Sequence, residues 1–349
     1  MSVMRYRENP LISVNDVEPS RDDFHVVGVF NPGVAKLGNQ TILLLRVAES
    51  PNSVNRNSVL TPSMNFDLSS PAMTVRSLDR NEPGLDFSDS RGVFIDNRMI
   101  ALTSISHFRV ARSDDGRHFE IDDNIRFLPQ NRAEAWGIED PRITTINGVY
   151  YITYSAVSEN GVSVALATTT DFTEFKRESC ILPPTNKDVV LFPETIHGQY
   201  YALHRPAPSD IGTPDIWVST SPDLIHWGNH RYLAGVREDS WDSQRIGAGA
   251  VPIRTKDGWL VLYHGANREN QYSMGALLLD IDNPGRVMAR SRVPFLKPEE
   301  SYETNGFWGA VVFSCGAIVE DDTIQMYYGA ADQSIAGCEV PLKDIFDTF

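Results

Sequence analysis

Apolar and polar positions alternate over short stretches almost everywhere along the chain. Residues 143–154, Ile-Thr-Thr-Ile-Asn-Gly-Val-Tyr-Tyr-Ile-Thr-Tyr, read as a strand, a two-residue turn at Asn147-Gly148 and a second strand. Helical periodicity is missing, apart from a short turn expected over 342–346. One unit recurs: a Gly or Asn turn, a strand rich in aromatic or apolar residues, a loop, a second strand, then a Ser/Thr-x-Asp turn. Copies run through 97–119, 148–175, 198–227 and 258–280, with weaker ones opening at 40 and 323. A period of roughly fifty residues built from short strands is the signature of a β-propeller, and the fold class read here is all-β. A β-sandwich fits less well, because the Ser/Thr-x-Asp turn returns at the same place in successive units. Six partial copies leave the blade number open. Five blades, one completed by both chain ends, would hide the sheet edges.

In such a repeat the corresponding strand of each unit lines a central channel, so strand ends bring distant residues to one funnel. Arg46, Asp140, Arg205 and His264 lie at or beside such strands, Asp332 follows the last copy, and Asn31 joins them from the first strand. Gly137-Ile138-Glu139-Asp140-Pro141-Arg142 stands out among these segments. Pro141 bars helical geometry at the preceding residue, which predicts an extended corner for Asp140, its side chain free to enter a cavity. A turn aspartate paired to Arg142 is the bland alternative. Against it stand three later segments with cationic groups: Leu203-His204-Arg205-Pro206, Ser243-Gln244-Arg245-Ile246-Gly247 and Tyr263-His264-Gly265. One acid facing several cations suits an anionic co-substrate. Residues 51–89, rich in Ser, Asn and Pro, break the rhythm and read as an insertion on the pocket rim of a single domain spanning 1–349.

Composition narrows the class. With 41% hydrophobic and 22% charged residues the 349-residue chain is ordinarily globular. Its formal charge of −15 argues against nucleic acid or an anionic membrane as partner, and makes clustered arginines more telling. The polar start is no signal peptide, and no apolar run reaches membrane-span length. Cys180, Cys315 and Cys338 show no metal-ligand spacing, so a reduced cytoplasmic protein without a metal site is expected.

Phe30-Asn31-Pro32-Gly33, Leu44-Leu45-Arg46, the Gly137 to Arg142 stretch, Phe192-Pro193-Glu194, Leu203-His204-Arg205-Pro206, Arg245-Ile246-Gly247 and Tyr263-His264-Gly265 together resemble glycoside hydrolase family 130, the β-mannoside phosphorylases. The resemblance covers nearly the whole chain, with the motifs in the family's order. It implies a five-bladed β-propeller. Asn186-Lys187-Asp188 and the segment ending in Asp89-Ser90-Arg91 resemble the branch acting on β-1,2-linked mannose. The resemblance implies Asp140 as general acid, working through the sugar's 3-hydroxyl, with inversion and release of α-mannose 1-phosphate. It also implies Arg205, Arg245, His264 and Lys187 around phosphate, and Asn31, Arg46, Asp188, Asp332 and Arg91 around the mannoside. Arg245 and Lys187 exchange the lysine and arginine that the family typically carries, which keeps both cations. Phosphate is itself a nucleophilic anion and needs no general base; it needs holding, which arginine forks do well. The expected partners are a β-mannoside oligosaccharide and inorganic phosphate, with no cofactor, and a homo-oligomer is left open.

Competing readings are a hydrolase of the same architecture with a second carboxylate to activate water, a β-1,4-mannosyl phosphorylase, a sugar-nucleotide-dependent mannosyltransferase, and a non-catalytic scaffold. Among smaller expectations, His204 is read as a core histidine, Glu139 as structural, and Glu194 and Asp188 as groups orienting the cations. Arg46 has a bland alternative as the partner of Glu49, and Trp136, Trp308 and Tyr328 as blade packing.

Overall fold

The computed structural model describes residues 3–53, 55–208 and 210–349. Among them, helix is confined to the short segments Ser301–Thr304 and Leu342–Phe346, the latter where a turn was expected, and to 3₁₀ turns at Val14–Asp16 and Arg132–Glu134. The strands form successive antiparallel meanders. The first contains Phe24–Leu37, Gln40–Pro51, Ile105–Ser113 and Glu120–Phe127. The second contains Gly137–Ile146, Val149–Ser158, Gly161–Thr169 and Lys176–Leu182. A parallel pairing of Gly137 with Ser106 joins these two into one eight-stranded sheet. Asn186–Leu191, Tyr200–Pro206, Ile216–Ser221 and Gly228–Ala234 form the third. Arg245–Ala248, Gly258–Ala266, Tyr272–Leu279 and Val287–Arg290 form the fourth, with Ile253–Thr255 alongside. The last joins Val312–Glu320, Thr323–Ala330 and Ser334–Pro341 to Met4–Arg5 from the other end of the chain.

Local chemistry accounts for the meanders. Asn147 and Gly148, at φ 51° and 78°, make the tight turn between Ile146 and Val149 that their identities predicted. The recurrent Ser/Thr-x-Asp turns close alike: the hydroxyls of Ser113, Thr169 and Ser221 accept the amides of Gly116, Phe172 and Leu224 at 2.9–3.0 Å. Cores form between consecutive meanders. Ile42 and Phe108 pack with Ile152 and Tyr154, Val164 and Ile181 with Val189 and Leu191, Val190 and Val218 with Val261 and Leu277. Leu262 and Met274 pack with Met326 and Ala336, and Tyr327 and Ile335 with Val29 and Leu45 of the first meander.

One repeat copy is corrected. Residues 97–119 do not form a hairpin: Arg98–Leu102 pairs with Gly92–Ile95, whereas Ile105–Ser113 lies between Gln40–Pro51 and Glu120–Phe127. Ile105–Ser113 is buried on both faces and must sit inside a sheet, while Arg98–Leu102 is only half-buried. Between them and Pro51 stands a separate hairpin of Ser58–Asn65 and Ala72–Asp79, so the interrupted rhythm of 51–89 corresponds to a local addition.

The opening strands of the first three meanders each carry a bulge, between Phe30 and Gly33, Glu139 and Arg142, and Lys187 and Val190. Each bulge holds a left-handed residue: Asn31 at φ 49°, Asp140 at 52° and Asp188 at 54°. Asp140 is therefore not in an extended corner as expected. Proline disfavours the right-handed helical region for its predecessor, but the bulge takes the left-handed one, which aspartate and asparagine tolerate better than most residues.

Candidate active site

The bulged side chains converge on a cavity of about 320 Å³. Asn31, Arg46, Arg91, Glu139, Asp140, Lys187, Asp188, Arg205 and Asp332 all reach its wall, so nine of the sequence-marked polar residues meet although up to three hundred residues separate them. Asp140 is 6% exposed. Its Oδ1 accepts Nδ2 of Asn31 at 2.9 Å and Nη1 of Arg46 at 2.8 Å. The other arm of the Arg46 fork donates to Glu139 at 2.8 Å, and the guanidinium lies 4.4 Å over the Phe30 ring. Arg46 thus pairs with Glu139 and Asp140 and not with Glu49, and Glu139, read from sequence as structural, sits on the cavity wall holding it. Burial alone would push the Asp140 carboxyl up. The charges of Arg46, Arg142 and Lys187 and the Asn31 amide outweigh burial and hold it below the ordinary carboxylate range.

Asp332, left-handed at φ 52°, completes this side of the cavity. Burial raises its pKa to about 6; Arg46 and Arg91 oppose that rise while Asp140 and Glu139 reinforce it. Arg91 is paired to Asp89 at 2.7 Å, with its guanidinium 3.7 Å over the Trp308 ring. Trp308 is therefore a wall residue, whereas Tyr328 is fully buried in the core and donates to Glu303.

The opposite side is organised by Asp188, which is 1% exposed. Its Oδ1 accepts Nη2 of Arg142 at 3.0 Å and its Oδ2 accepts Nε of Arg205 at 2.6 Å. Nε2 of the buried His264 lies 3.2 Å from the same Oδ2. Burial depresses the His264 pKa below its ordinary value more than Asp188 raises it. It stands one layer behind the cavity. Gly247 passes so close that a Cβ there would come within 2.2 Å of Asp188 Oδ2 and 2.6 Å of His264 Nε2. Arg245 also stands back from the wall, bonded to Asn270 at 2.7 Å and to the cavity-lining Tyr272 at 3.0 Å.

Arg142 was underestimated. It does not pair with the Asp140 carboxylate; Nη1 donates to the Asp140 backbone carbonyl at 3.2 Å while Nη2 reaches Asp188. One buried guanidinium therefore spans both sides of the cavity, and its place inside the Gly137 to Arg142 motif was the signal available for it. Two smaller expectations change. His204 is buried as expected but bonds the Asn186 side chain and His230, not a backbone carbonyl. Glu194 is paired to Arg254 on the surface, away from the cations it was expected to orient. No cluster of potential metal ligands occurs among the described residues.

Chemically, the cavity brings a charge-held carboxylate, Asp140, and a raised one, Asp332, together with Arg205 and Lys187. A family model described as beta-1,4-mannooligosaccharide phosphorylase matches residues 94–349. The beta-1,2-mannobiose phosphorylase of Listeria innocua is 47% identical over 99% of this chain and 98% of its own length. The 1,2-beta-oligomannan phosphorylase of a Thermoanaerobacter strain is 41% identical over 69% of this chain and 80% of its own. The structure of the Listeria innocua enzyme in complex with beta-1,2-mannobiose superposes with a TM-score of 0.97, covering 100% of this chain and 99% of that one.

Proposed function

Because the chain belongs to glycoside hydrolase family 130, we propose that it catalyses the reversible, inverting phosphorolysis of β-1,2-linked mannobiose and oligomannan. The products are α-mannose 1-phosphate and a shortened mannoside. The observation that carries this reading is the meeting of Asp140 with Arg205 and Lys187 at the wall of one cavity. Phosphate held by Arg205 and Lys187, with Arg245 steadying the wall through Tyr272, attacks the anomeric carbon as the glycosidic C–O bond breaks. Asn31, Arg46, Asp332 and Arg91 hold the mannoside. Asp140 supplies a proton to the sugar's 3-hydroxyl, whose own proton passes to the leaving oxygen. Asp140 is ionised in the free protein; arriving phosphate offsets the cations that keep it so and raises its proton affinity, and the proton it then donates is one taken up from solvent as phosphate binds. The β-1,2 linkage rests on the names of the 47% and 41% identical relatives, against the β-1,4 description of the family model.

The hydrolase reading needs a carboxylate on the nucleophile's side to activate water. Asp188 is the acid there, and both its oxygens are committed to arginines. The architecture that accompanies the reading is one domain, a five-bladed β-propeller. Dividing the eight-stranded sheet at its Gly137–Ser106 contact gives two four-stranded meanders, which with the three other large sheets make five, four of four strands and one of five, and the cores between them run in a cycle returning from the last to the first. A cytoplasmic setting suits the free thiols of Cys315 and Cys338, both buried and unpaired. The test varies phosphate at fixed β-1,2-mannobiose in the wild type and in Arg205→Ala. Loss of one charge-assisted bond should raise the phosphate KM by about one to two orders of magnitude and leave mannobiose binding nearly unchanged. Free mannose formed at full rate without phosphate would replace the phosphorylase with a hydrolase.

A further inference from the structure

Two residues that the proposed reaction does not use stand directly before the cations assigned to phosphate: Asn186 before Lys187, and His204 before Arg205. Lys187 and Arg205 are register partners on neighbouring strands, and both line the cavity. Alternation along the strand turns His204 away from Arg205. Asn186, paired with Pro206, is its diagonal neighbour on that other face. Nδ1 of His204 lies 3.2 Å from Oδ1 of Asn186, and its Nε2 lies 3.0 Å from Nδ1 of His230. An amide oxygen only accepts, so Nδ1 of His204 carries the hydrogen and Nε2 accepts from His230. Burial, with His230 beside it, lowers the His204 pKa to about 4. At pH 7 His204 is therefore a neutral imidazole with both nitrogens in use.

The strand pairing shows what this link is for. A bulge between Lys187 and Val190 interrupts the ladder of Asn186–Leu191 with Tyr200–Pro206, and His204 stands opposite it. Beyond the bulge the ladder keeps two pairs, Lys187 with Arg205 and Asn186 with Pro206, and Pro206 has no amide hydrogen to donate. Past them the Thr185 hydroxyl donates to the Ala207 carbonyl at 2.9 Å, and the Ala207 amide to the Thr185 carbonyl at 3.2 Å. Arg205 is anchored by Asp188 at 2.6 Å, whereas Lys187 makes no ion pair among the described residues and takes its place from its backbone. A strand end left loose would let the two like charges part, and phosphate would then have to order them on binding. We propose that His204 is a positioning residue for phosphate: by tying the Asn186 side chain across the bulge, it holds Lys187 beside Arg205, where one anion can reach both. This role rests on the phosphorolysis reading and adds to it the residue that keeps the phosphate site ordered.

The experiment titrates inorganic phosphate into the full chain by calorimetry and follows mannose 1-phosphate release from β-1,2-mannobiose in parallel. His204→Phe keeps a buried ring but has no donor. Its phosphate affinity should fall, and its phosphate KM rise, about three- to tenfold, the size of one hydrogen bond, with kcat and the mannobiose KM unchanged. His204→Asn returns an N–H near the place of Nδ1 and should restore most of the loss. Asn186→Ala should match His204→Phe, and the double variant should add little, because both substitutions remove the same bond. Asn186 is half-buried, so water can reach its freed oxygen, and the variants should fold, as thermal unfolding would show. Should His204→Phe not fold, Asn186→Ala decides alone. Unchanged phosphate affinity, additive losses in the double variant, or equal losses for phosphate and mannobiose would overturn the proposal and leave His204 a packing residue. A wild type that binds mannobiose but neither binds phosphate nor releases mannose 1-phosphate would instead sink the phosphorylase reading, and this role with it.

Discussion

Replacing Asp188 by asparagine removes the charge around which one side of the cavity is built. In the wild type this carboxylate is 1% exposed and compensates two guanidinia, Arg142 at 3.0 Å and Arg205 at 2.6 Å, themselves 1% and 8% exposed. Breaking a buried pair by removing one partner typically costs about 3–5 kcal/mol, because the surviving charge stays buried and unpaired. Asparagine keeps the shape but turns an N–H donor toward one guanidinium, so steric relief recovers none of that loss. Against a usual stability of about 5–15 kcal/mol, the variant should fold but give up a large share of its margin. Urea unfolding at pH 7 measures this directly. Freed from its Nε anchor, Arg205 should also hold phosphate poorly: the phosphate KM should rise about tenfold or more, with the mannobiose KM near normal. Asp188 has its pKa held well below the ordinary value: burial alone would raise it, and the neighbouring Arg205, Arg142 and His264 outweigh burial. Its stabilisation is therefore present above the unfolded carboxylate pKa of about 3.9 and is lost only as pH falls below that, so the variant's deficit should be constant from pH 5 to 8. A variant of unchanged stability whose mannobiose KM alone rises would refute this reasoning and restore Asp188 as a sugar-binding group.

Asp140→Asn keeps the shape of the acid but removes its proton, and turnover should fall by about two to four orders of magnitude while calorimetry still detects mannobiose binding. Asp332 titrates near 6, so wild-type kcat/KM should change across pH 5–7, and Asp332→Asn should flatten that limb; a limb that persists in the variant assigns it to another group. Gly247→Ala would drive a methyl to within 2.2 Å of Asp188 Oδ2, and should reproduce the phosphate defect of Asp188→Asn without removing any charge, as phosphate-saturation kinetics would show.

The elements that sequence reading found are those specified locally. Asn147-Gly148 dictates its turn, and Ser113, Thr169 and Ser221 cap theirs, so strand order was legible from side chains within a few residues of each other. The convergence of Asn31, Arg46, Asp140, Arg205 and Asp332 followed once a repeat placed each at an equivalent strand end. What sequence could not give depends on contacts between units. The left-handed backbone of Asp140 arises from a bulge, a mismatch with the partner strand that Pro141 alone does not report. The lowered pKa of His264 comes from its burial beside Asp188, and the identity of the Arg142 partners from which meander stands beside it. The copy read over 97–119 put two strands of different meanders in one unit, because burial of Ile105–Ser113 on both faces, which sends it into the first sheet, does not show in the repeat pattern.

The pairing of Met4 with Glu339 and of Arg5 with Cys338 bears on the order in which the molecule assembles. Hairpins such as that of Ile146 and Val149 close over a few residues, whereas this pairing closes a loop of nearly the whole chain. Loop-closure entropy grows by about 0.6 kcal/mol per doubling of length, so joining the ends costs about 3 kcal/mol more than closing a ten-residue loop. During synthesis the early strands can collapse onto their neighbours while the first residues wait for a partner that emerges last. The seam where Met4–Arg5 meets Ser334–Pro341 thus carries a larger loop-closure cost than any other strand pairing described above. Arg5, whose guanidinium reaches Glu303 at 2.8 Å, is the latch that secures it.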